Sequence, residues 1–411
     1  MRLRLRGFSI VLTTLILAAC ANQQPTPPPT RIPIVTNDAT FPAPPGLQPQ
    51  IAFWQNVYAV WGRNQVALHD DRYMDLIYAV LTLPGSVDEG YTAEQKAFLQ
   101  DHYRNLQELL QRVESKTATN APLIPAEQRL ANYIKAGRAG PMALTGASER
   151  LRSQRGLRER FKRGLEISGR YDAAFREAFR EAGLPQDLAY LPHVESSFQN
   201  HASSSVGAAG MWQFMPATAR EFMRLNAIVD ERRDPVISAQ GAARYLGRAY
   251  DRLGSWPLAI TSYNHGVGGM AQAKGEFGDN IDAIVQSHAG KNFGFASRNF
   301  YAEFLAAREI ARNPQRFFPG GVAYEAPLNL DRIRLRQAVD APTLASYYEV
   351  NLDDLIVLNK SWKSLAQSGE RPLPVGSMVW LPAGTMMRLA QRGAASRALV
   401  LAEPVSTAQL R

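Results

Sequence analysis

"LPHVESSFQNHASSSVGAAGMWQFMPATA", residues 191–219, holds one carboxylate, Glu195, among Leu191, Val194 and Phe198. Small residues follow, and they end in Gly210-Met211-Trp212-Gln213; nothing acidic recurs until Glu221. Leu188, Leu191, Glu195 and Phe198 stand three, four and three residues apart, so a helix turns them all to one face. Pro192 removes a backbone donor and should kink that helix, or restart it just before the glutamate. A carboxylate taken out of water is costly unless it is paired or keeps its proton. Desolvation raises its pKa and leaves a proton to donate near neutrality, which describes a general acid. Ser196 and Ser197 are placed to orient it by hydrogen bonding. The competing reading is a solvated glutamate at a helix end.

Other chemistries lack their parts. His193-Val194-Glu195 has the H-x-E spacing of a zinc deaminase, but that site needs later cysteines and Cys20 is the only one in the chain. The six histidines are scattered and no H-E-x-x-H occurs, so a metal site has no ligand set. Ser205-Val206-Gly207 lacks the preceding glycine of a nucleophile elbow. No P-loop or dinucleotide-binding glycine pattern is present, so no cofactor is expected. The net charge of +9 favours anionic surfaces, but no nucleic-acid motif organises it. Acid catalysis by a carboxyl remains.

The N-terminus decides the expected compartment. Arg2, Arg4 and Arg6 precede an apolar stretch from Phe8 to Ala19, too short for an ordinary spanning helix. It ends Leu17-Ala18-Ala19-Cys20, which resembles the bacterial lipoprotein box, in which the cysteine is acylated and becomes the new N-terminus. Residues 1–19 are then a signal peptide and Cys20 a lipid anchor in the membrane. Ala21 stands where inner-membrane lipoproteins of this kind typically carry aspartate. The resemblance therefore points to the periplasmic face of the outer membrane. Residues 21–50 hold nine of the 26 prolines, and residues 20–50 read as an extended tether.

At 411 residues, 45% hydrophobic and 20% charged, the chain is long enough for two or three globular domains. Phe53, Val57, Val60 and Trp61, and later Leu99, Tyr103, Leu106, Leu110 and Val113, recur at helical steps. Residues 51–150 therefore read as a helical scaffold, interrupted by a loop at 116–125. Glu149 to Gly183 is rich in arginine. It reads either as a basic arm or as a solvated helix face with local Arg–Glu pairs. Ala239, Ala242, Ala243, Leu246, Ala249, Tyr250 and Leu253 form a helical stripe that Gly254 stops. Ser255 and Pro257 then suit the start of a helix ended by Gly266. Beyond Phe318-Pro319-Gly320-Gly321, alternation over 332–339, short helices at 344–348 and 352–358, and a strand at 375–382 give a small separate β-α-α-β module.

Three segments, Glu195-Ser196, Gly210-Met211-Trp212-Gln213-Phe214-Met215-Pro216 and Ser262-Tyr263-Asn264-His265-Gly266, resemble the first three motifs of the family 1 lytic transglycosylases, most closely the membrane-bound D type. A fourth motif of that family centres on a tyrosine, and Tyr301 in "SRNFYAEFLAA" stands at the matching position. The resemblance spans about residues 150–315. It implies a mainly α architecture: a lysozyme-like, goose-type helical catalytic domain over 151–318, behind the N-terminal helical region. It also implies that 325–390 is one divergent copy of the LysM repeat, a βααβ unit that binds N-acetylglucosamine chains, followed by a tail at 391–411. The implied substrate is the peptidoglycan glycan strand. Glu195 would protonate the oxygen between N-acetylmuramic acid and N-acetylglucosamine. It would then take the proton of the muramic C6 hydroxyl, giving a 1,6-anhydro end. Ser196, Gly210, Met211, Gln213, Tyr263, Asn264 and Tyr301 are the implied substrate-binding residues.

Asp230, Glu231 and Asp234 are rival second carboxylates. One of them facing Glu195 would favour a hydrolytic muramidase. A lipoprotein that binds peptidoglycan without cutting it is the third reading. If Cys20 is the anchor, Cys20→Ser should release the full-length protein from sedimented membranes, with no acyl mass on its N-terminus. Continued lipidation and sedimentation would refute the anchor.

Overall fold

The computed structural model describes residues 38–391 and 401–405. Cys20 and the first part of the proline-rich segment lie outside the described residues. The later part of that segment is not an extended tether. Phe41 and Leu47 are buried, Phe41 packs edge-on against Phe304 at 5.3 Å, and the Arg308 guanidinium meets Asp38. Two large apolar side chains draw residues 38–50 onto the body.

Helix α1 (Gln48–Gln55) runs directly into a π-helical turn at Asn56–Val60, closed by Trp61 N donating to Asn56 O at 2.7 Å. Residues 51–150 are not purely helical on either side of the expected 116–125 loop, because two strands lie among the helices. β1 (Gln65–Asp70) and β2 (Ile77–Thr82) pair antiparallel, and β3 (Leu151–Arg155) adds to the other edge of β1, giving the order β2-β1-β3. The apolar runs of β1 and β2 are too short for periodicity to separate strand from helix, and the third strand, β3, is distant in sequence. α2 (Ala93–Ala118), opened by a Thr92–Gln95 capping box, and α3 (Pro125–Ala136) cover the sheet. Leu68, Leu81, Leu110, Val113, Ile134 and Leu151 form the shared core.

The central helices surround α4 (Arg158–Glu181), whose Phe161, Leu165, Phe175 and Phe179 are buried. Its arginines pair locally, Arg163 with Glu166, Arg176 with Asp172 and Arg180 with Glu177, as on a solvated helix face. Then follow α5 (Leu191–Glu195), α6 (Pro216–Phe222), α7 (Pro235–Leu253), α8 (Trp256–His265), α9 (Val267–Phe277), α10 (Ile281–Ser287), α11 (Phe295–Arg312) and α12 (Pro314–Phe317). Gly254 ends α7 in the left-handed region (φ 67°), as its position suggested.

The C-terminal part runs β4 (Leu330–Leu335), α13 (Ala341–Tyr348), α14 (Leu352–Leu358), α15 (Ser364–Gln367) and β5 (Met378–Pro382). α16 (Thr385–Gln391) and β6 (Ala402–Pro404) complete it, with strand order β5-β4-β6. The two expected helices lie between β4 and β5, but a third, short one, α15, follows them, and the module is not separate. Val229, from the segment between α6 and α7, is buried in its core with Leu344, Leu355, Trp362 and Leu381. Burying an apolar side chain there joins two cores that sequence spacing kept apart.

Within this module Asn359 is buried and bridges α14 to β5. Its side-chain nitrogen donates to Leu355 O (2.8 Å) and Trp380 O (2.9 Å), and its oxygen accepts from Trp380 N (2.9 Å). Asn359→Leu strands Trp380 N and Trp380 O and should cost on the order of 2–3 kcal/mol. A thermal unfolding midpoint unchanged from the wild type would contradict this.

Candidate active site

Pro192 opens α5 and the helix ends at Glu195, so the proline restarts rather than kinks the chain. Ser196 N and Phe198 N both donate to Pro192 O at 3.1 Å, and Ser197 (φ 53°) and Phe198 (φ 59°) take left-handed backbone. Two non-glycine residues in that region store strain of order 1 kcal/mol or more each. The return is a sharp turn that seats Phe198 against His193 (4.5 Å between ring centres) and Phe175 (5.8 Å). Gly164 on α4 lets this turn approach: a Cβ there would lie 2.9 Å from Ser197 O. His193 is buried on the core side, where desolvation lowers its pKa to about 3.

Ser196 does not orient the glutamate, contrary to expectation. Its hydroxyl donates to Met211 O at 2.9 Å and so ties the turn after Glu195 to the Gly210–Gln213 segment. Glu195 itself keeps part of its surface open to solvent, yet protein crowds the carboxyl. Burial, and then the nearby Glu303 carboxyl, raise its pKa to about 8. Glu303, on α11, is likewise raised to about 8 by burial. Tyr58 donates to Glu303 Oε2 at 3.2 Å, and this bond opposes the shift. The Tyr58 phenol is raised by burial, by Glu303 and by Glu195, so the three groups share one electrostatic environment. Tyr58 comes from the π-helical turn, a geometry often met at functional sites. Its ring stacks on Phe161 (4.8 Å), which in turn stacks on His193 (5.1 Å).

The second carboxylate near Glu195 is therefore Glu303, and the three expected rivals are engaged elsewhere. Asp230 pairs with Arg232 (2.9 Å). Glu231 accepts from Arg224 N (2.6 Å). Asp234 caps α7 through Val236 N and Ile237 N. Glu303 carried a signal like that of Glu195, a carboxylate amid Phe300, Phe304 and Ala307, but the resemblance pointed two residues earlier, to Tyr301. Tyr58 had no such signal.

The remaining site residues fall into two groups. Gly210 (φ 79°) lies where a Cβ would come within 1.9 Å of Arg232 O, so only glycine fits. Gln213 (φ 47°) donates to Gly210 O (2.7 Å) and Ala202 O (3.3 Å), bracing the loop from within. Tyr263 donates to Trp212 O (2.8 Å) and packs against Tyr245, Phe214 and Phe300. Burial and then Glu195 raise its phenol, which puts it in the glutamate's neighbourhood. Asn264 is exposed beside it and accepts from Ser297 Oγ (2.8 Å).

The side chains of Met211 and Tyr301, expected to bind substrate, are both turned into the core. The Met211 side chain is 1% exposed and offers a ligand almost no surface; the residue contributes its carbonyl instead. Tyr301 is also 1% exposed and donates to Pro42 O (2.8 Å). One position along an α-helix is a rotation of about 100°. Phe300, not Tyr301, lies parallel to Tyr263 (6.4 Å). A cavity of about 510 Å³ lined by Gln50, Arg72 and Arg298 involves none of these site residues.

Residues 172–285 match the transglycosylase SLT domain family. That interval contains Glu195, Gly210, Gln213, Tyr263 and Asn264. The chain is 28% identical over 202 residues to the membrane-bound lytic murein transglycosylase D of Escherichia coli (strain K12), covering 46% of this chain and 42% of that protein. It is 34% identical over 113 residues to the membrane-bound lytic murein transglycosylase F 2 of Alkalilimnicola ehrlichii, covering 26% and 24%. It is 35% identical over 107 residues to the transglycosylase of Enterobacteria phage PRD1, covering 26% and 35%. The chain spans less than half the length of these relatives. Tyr58, Glu303 and the C-terminal module lie outside the SLT-matched interval.

Both raised carboxyls bind a proton more tightly in the folded chain than in the unfolded one. The stability this gives is complete below the ordinary value of 4.5 and is lost as pH rises through about 8. Glu303→Gln removes one of the two groups. Its melting temperature should therefore fall less than that of the wild type between about pH 5 and 9. The Glu195 titration, followed by carboxyl ¹³C NMR, should also move to lower pH. An unshifted Glu195 would show that the two carboxyls are not coupled.

Proposed function

We propose that the chain is a peptidoglycan lytic transglycosylase. It cleaves the β-1,4 bond between N-acetylmuramic acid and N-acetylglucosamine and leaves a 1,6-anhydromuramic end. The observation that carries this reading is Glu195: a carboxyl held protonated near neutrality, open to solvent on one side, within residues that match the SLT domain. The names of the relatives support the same substrate class.

In the forward step Glu195 gives its proton to the bridging oxygen. The muramic acetamido group steadies the cationic C1. The resulting carboxylate then removes the proton of the C6 hydroxyl as that oxygen attacks C1, so no water is consumed. One group serves as acid and then as base, for which a pKa near ambient pH is suited. Tyr263, Asn264, Gln213 and the backbone of the 203–214 loop would hold the sugars. Around this centre, residues 151–318 read as a lysozyme-like helical domain and 325–390 as the LysM-like element. Cys20 reads as the lipid anchor at the periplasmic face of the outer membrane. Among the described residues, no helix is long and apolar enough to cross a membrane.

Glu303 favours one alternative, a hydrolytic muramidase in which it acts as the second carboxylate. Its raised pKa speaks against that role at neutral pH, because a protonated carboxyl is neither base nor nucleophile. Glu195→Gln should abolish release of 1,6-anhydromuropeptides from sacculi while circular dichroism stays native, a loss of about 10⁴-fold or more. Glu303→Gln should retain anhydro products. Mass spectrometry showing reducing ends from the wild type would establish the hydrolase instead, and a folded Glu195→Gln protein of near wild-type rate would end both readings.

A further inference from the structure

The segment Asp230–Asp234 sits between the C-terminal module and the glycine-rich loop that follows Glu195, and is bonded to both. On the module side, Asp230 N donates to Ser361 O at 2.7 Å. The Trp380 indole Nε1 of β5 donates to Asp234 Oδ2 at 2.7 Å, with both side chains buried. The other oxygen of Asp234 accepts from Val236 N (3.0 Å) and Ile237 N (2.9 Å) at the start of α7. On the loop side, the Asp230 carboxylate grips Arg232 through two bonds of 2.9 Å. Arg232 then donates from one nitrogen to Gly207 O (2.7 Å) and Phe214 O (3.0 Å), joining two distant points of the loop. Arg233 adds a bond to Ser203 Oγ (3.0 Å), and its carbonyl accepts from Asn200 Nδ2 (3.0 Å). The tight approach of Gly210 to Arg232 O completes the seam.

We propose that the C-terminal β-α-α-β module is a positioning element for the 203–214 loop, acting through Trp380, Asp234, Asp230 and Arg232. Met211, Trp212 and Phe214 seat the second half of the loop in the core, but its first half, residues 203–207, has little apolar burial of its own: Val206 is 72% exposed and Gly207 has φ 93°. Such a segment opens at low free-energy cost unless external bonds hold it. Arg232 supplies them, and a buried guanidinium held by a bidentate carboxylate has its direction fixed. Trp380 fixes Asp234 from the opposite side, so the turn carrying Arg232 is anchored at both of its ends. Arg232 and Trp380 are positioning residues: they act through Gly207, Phe214 and the turn, not on a sugar. A module so engaged does more than retain the protein on glycan, since its seating sets the order of the loop that carries Gly210 and Gln213.

The functional meaning of this coupling rests on the glycan reading above, whereas amide hydrogen exchange reads the coupling without substrate. Exchange would be followed in the full-length wild type, Trp380→Phe, Arg232→Lys and the double variant. Trp380→Phe leaves an Asp234 oxygen unpaired, and lysine cannot span the carboxylate and two carbonyls. Each single change should speed exchange over residues 203–214 by about tenfold, with residues 295–312 and 341–358 unchanged. The double variant should add little to the larger single effect, because both changes cut one chain of bonds. Unchanged exchange at 203–214 in Trp380→Phe, an equal rise over 295–312, or fully additive effects would each overturn the coupling.

Discussion

Withdrawing the Glu195 carboxyl from water is the constraint around which the rest of the structure is arranged. In the ionised form such a group is destabilising in proportion to the solvent it has lost. The fold places a second buried acid, Glu303, in its electrostatic field rather than a cation, so the proton stays on. Stability that a neutral or cationic neighbour would have supplied is forgone at this one point. Such an arrangement suits the proton transfer proposed for Glu195.

The elements holding this group come from distant parts of the chain. α5 is a single short turn between Pro192 and Ser196, and by itself it could fix nothing. α4 supplies Phe161 and Phe175 behind it, α11 supplies Glu303, and the turn after α1 supplies Tyr58. The Trp54 indole donates to Asn299 Oδ1 at 3.1 Å, which locks α1 to α11 and hence Tyr58 to Glu303. The N-terminal region thus contributes a side chain to the site, although its sequence read only as scaffold.

Glu195 was legible because a carboxylate on an apolar helical face contradicts its surroundings, and the motif order then gave Gly210, Gln213, Tyr263 and Asn264. Glu303 made a similar contradiction, but the resemblance drew the assignment two residues away, to Tyr301, a side chain turned toward Pro42. Met211 failed for a related reason: a motif names positions, while burial decides whether side chain or carbonyl faces the site. β1 and β2 were hidden because short apolar runs carry no decisive period, and the third strand that completes their sheet, β3, lies far along the chain. In the C-terminal module the order of elements was readable from turn residues and alternation. Its attachment was not, since Val229 and Trp380 look like ordinary apolar residues until their neighbours are known.

The π-helical turn at Asn56–Val60 imposes a length requirement that point substitutions would never reveal. It holds one residue more than an α-helical turn of the same rise. Loss of the codon for Asn56 or Val57 would restore regular helix ahead of Tyr58. With α1 pinned through Trp54, Tyr58 would swing by about 100° about the helix axis. It would then leave Glu303. Variation in this lineage should therefore run to replacements here and to insertions and deletions elsewhere, so that the count of residues between Trp54 and Gln65 is fixed more tightly than their identity.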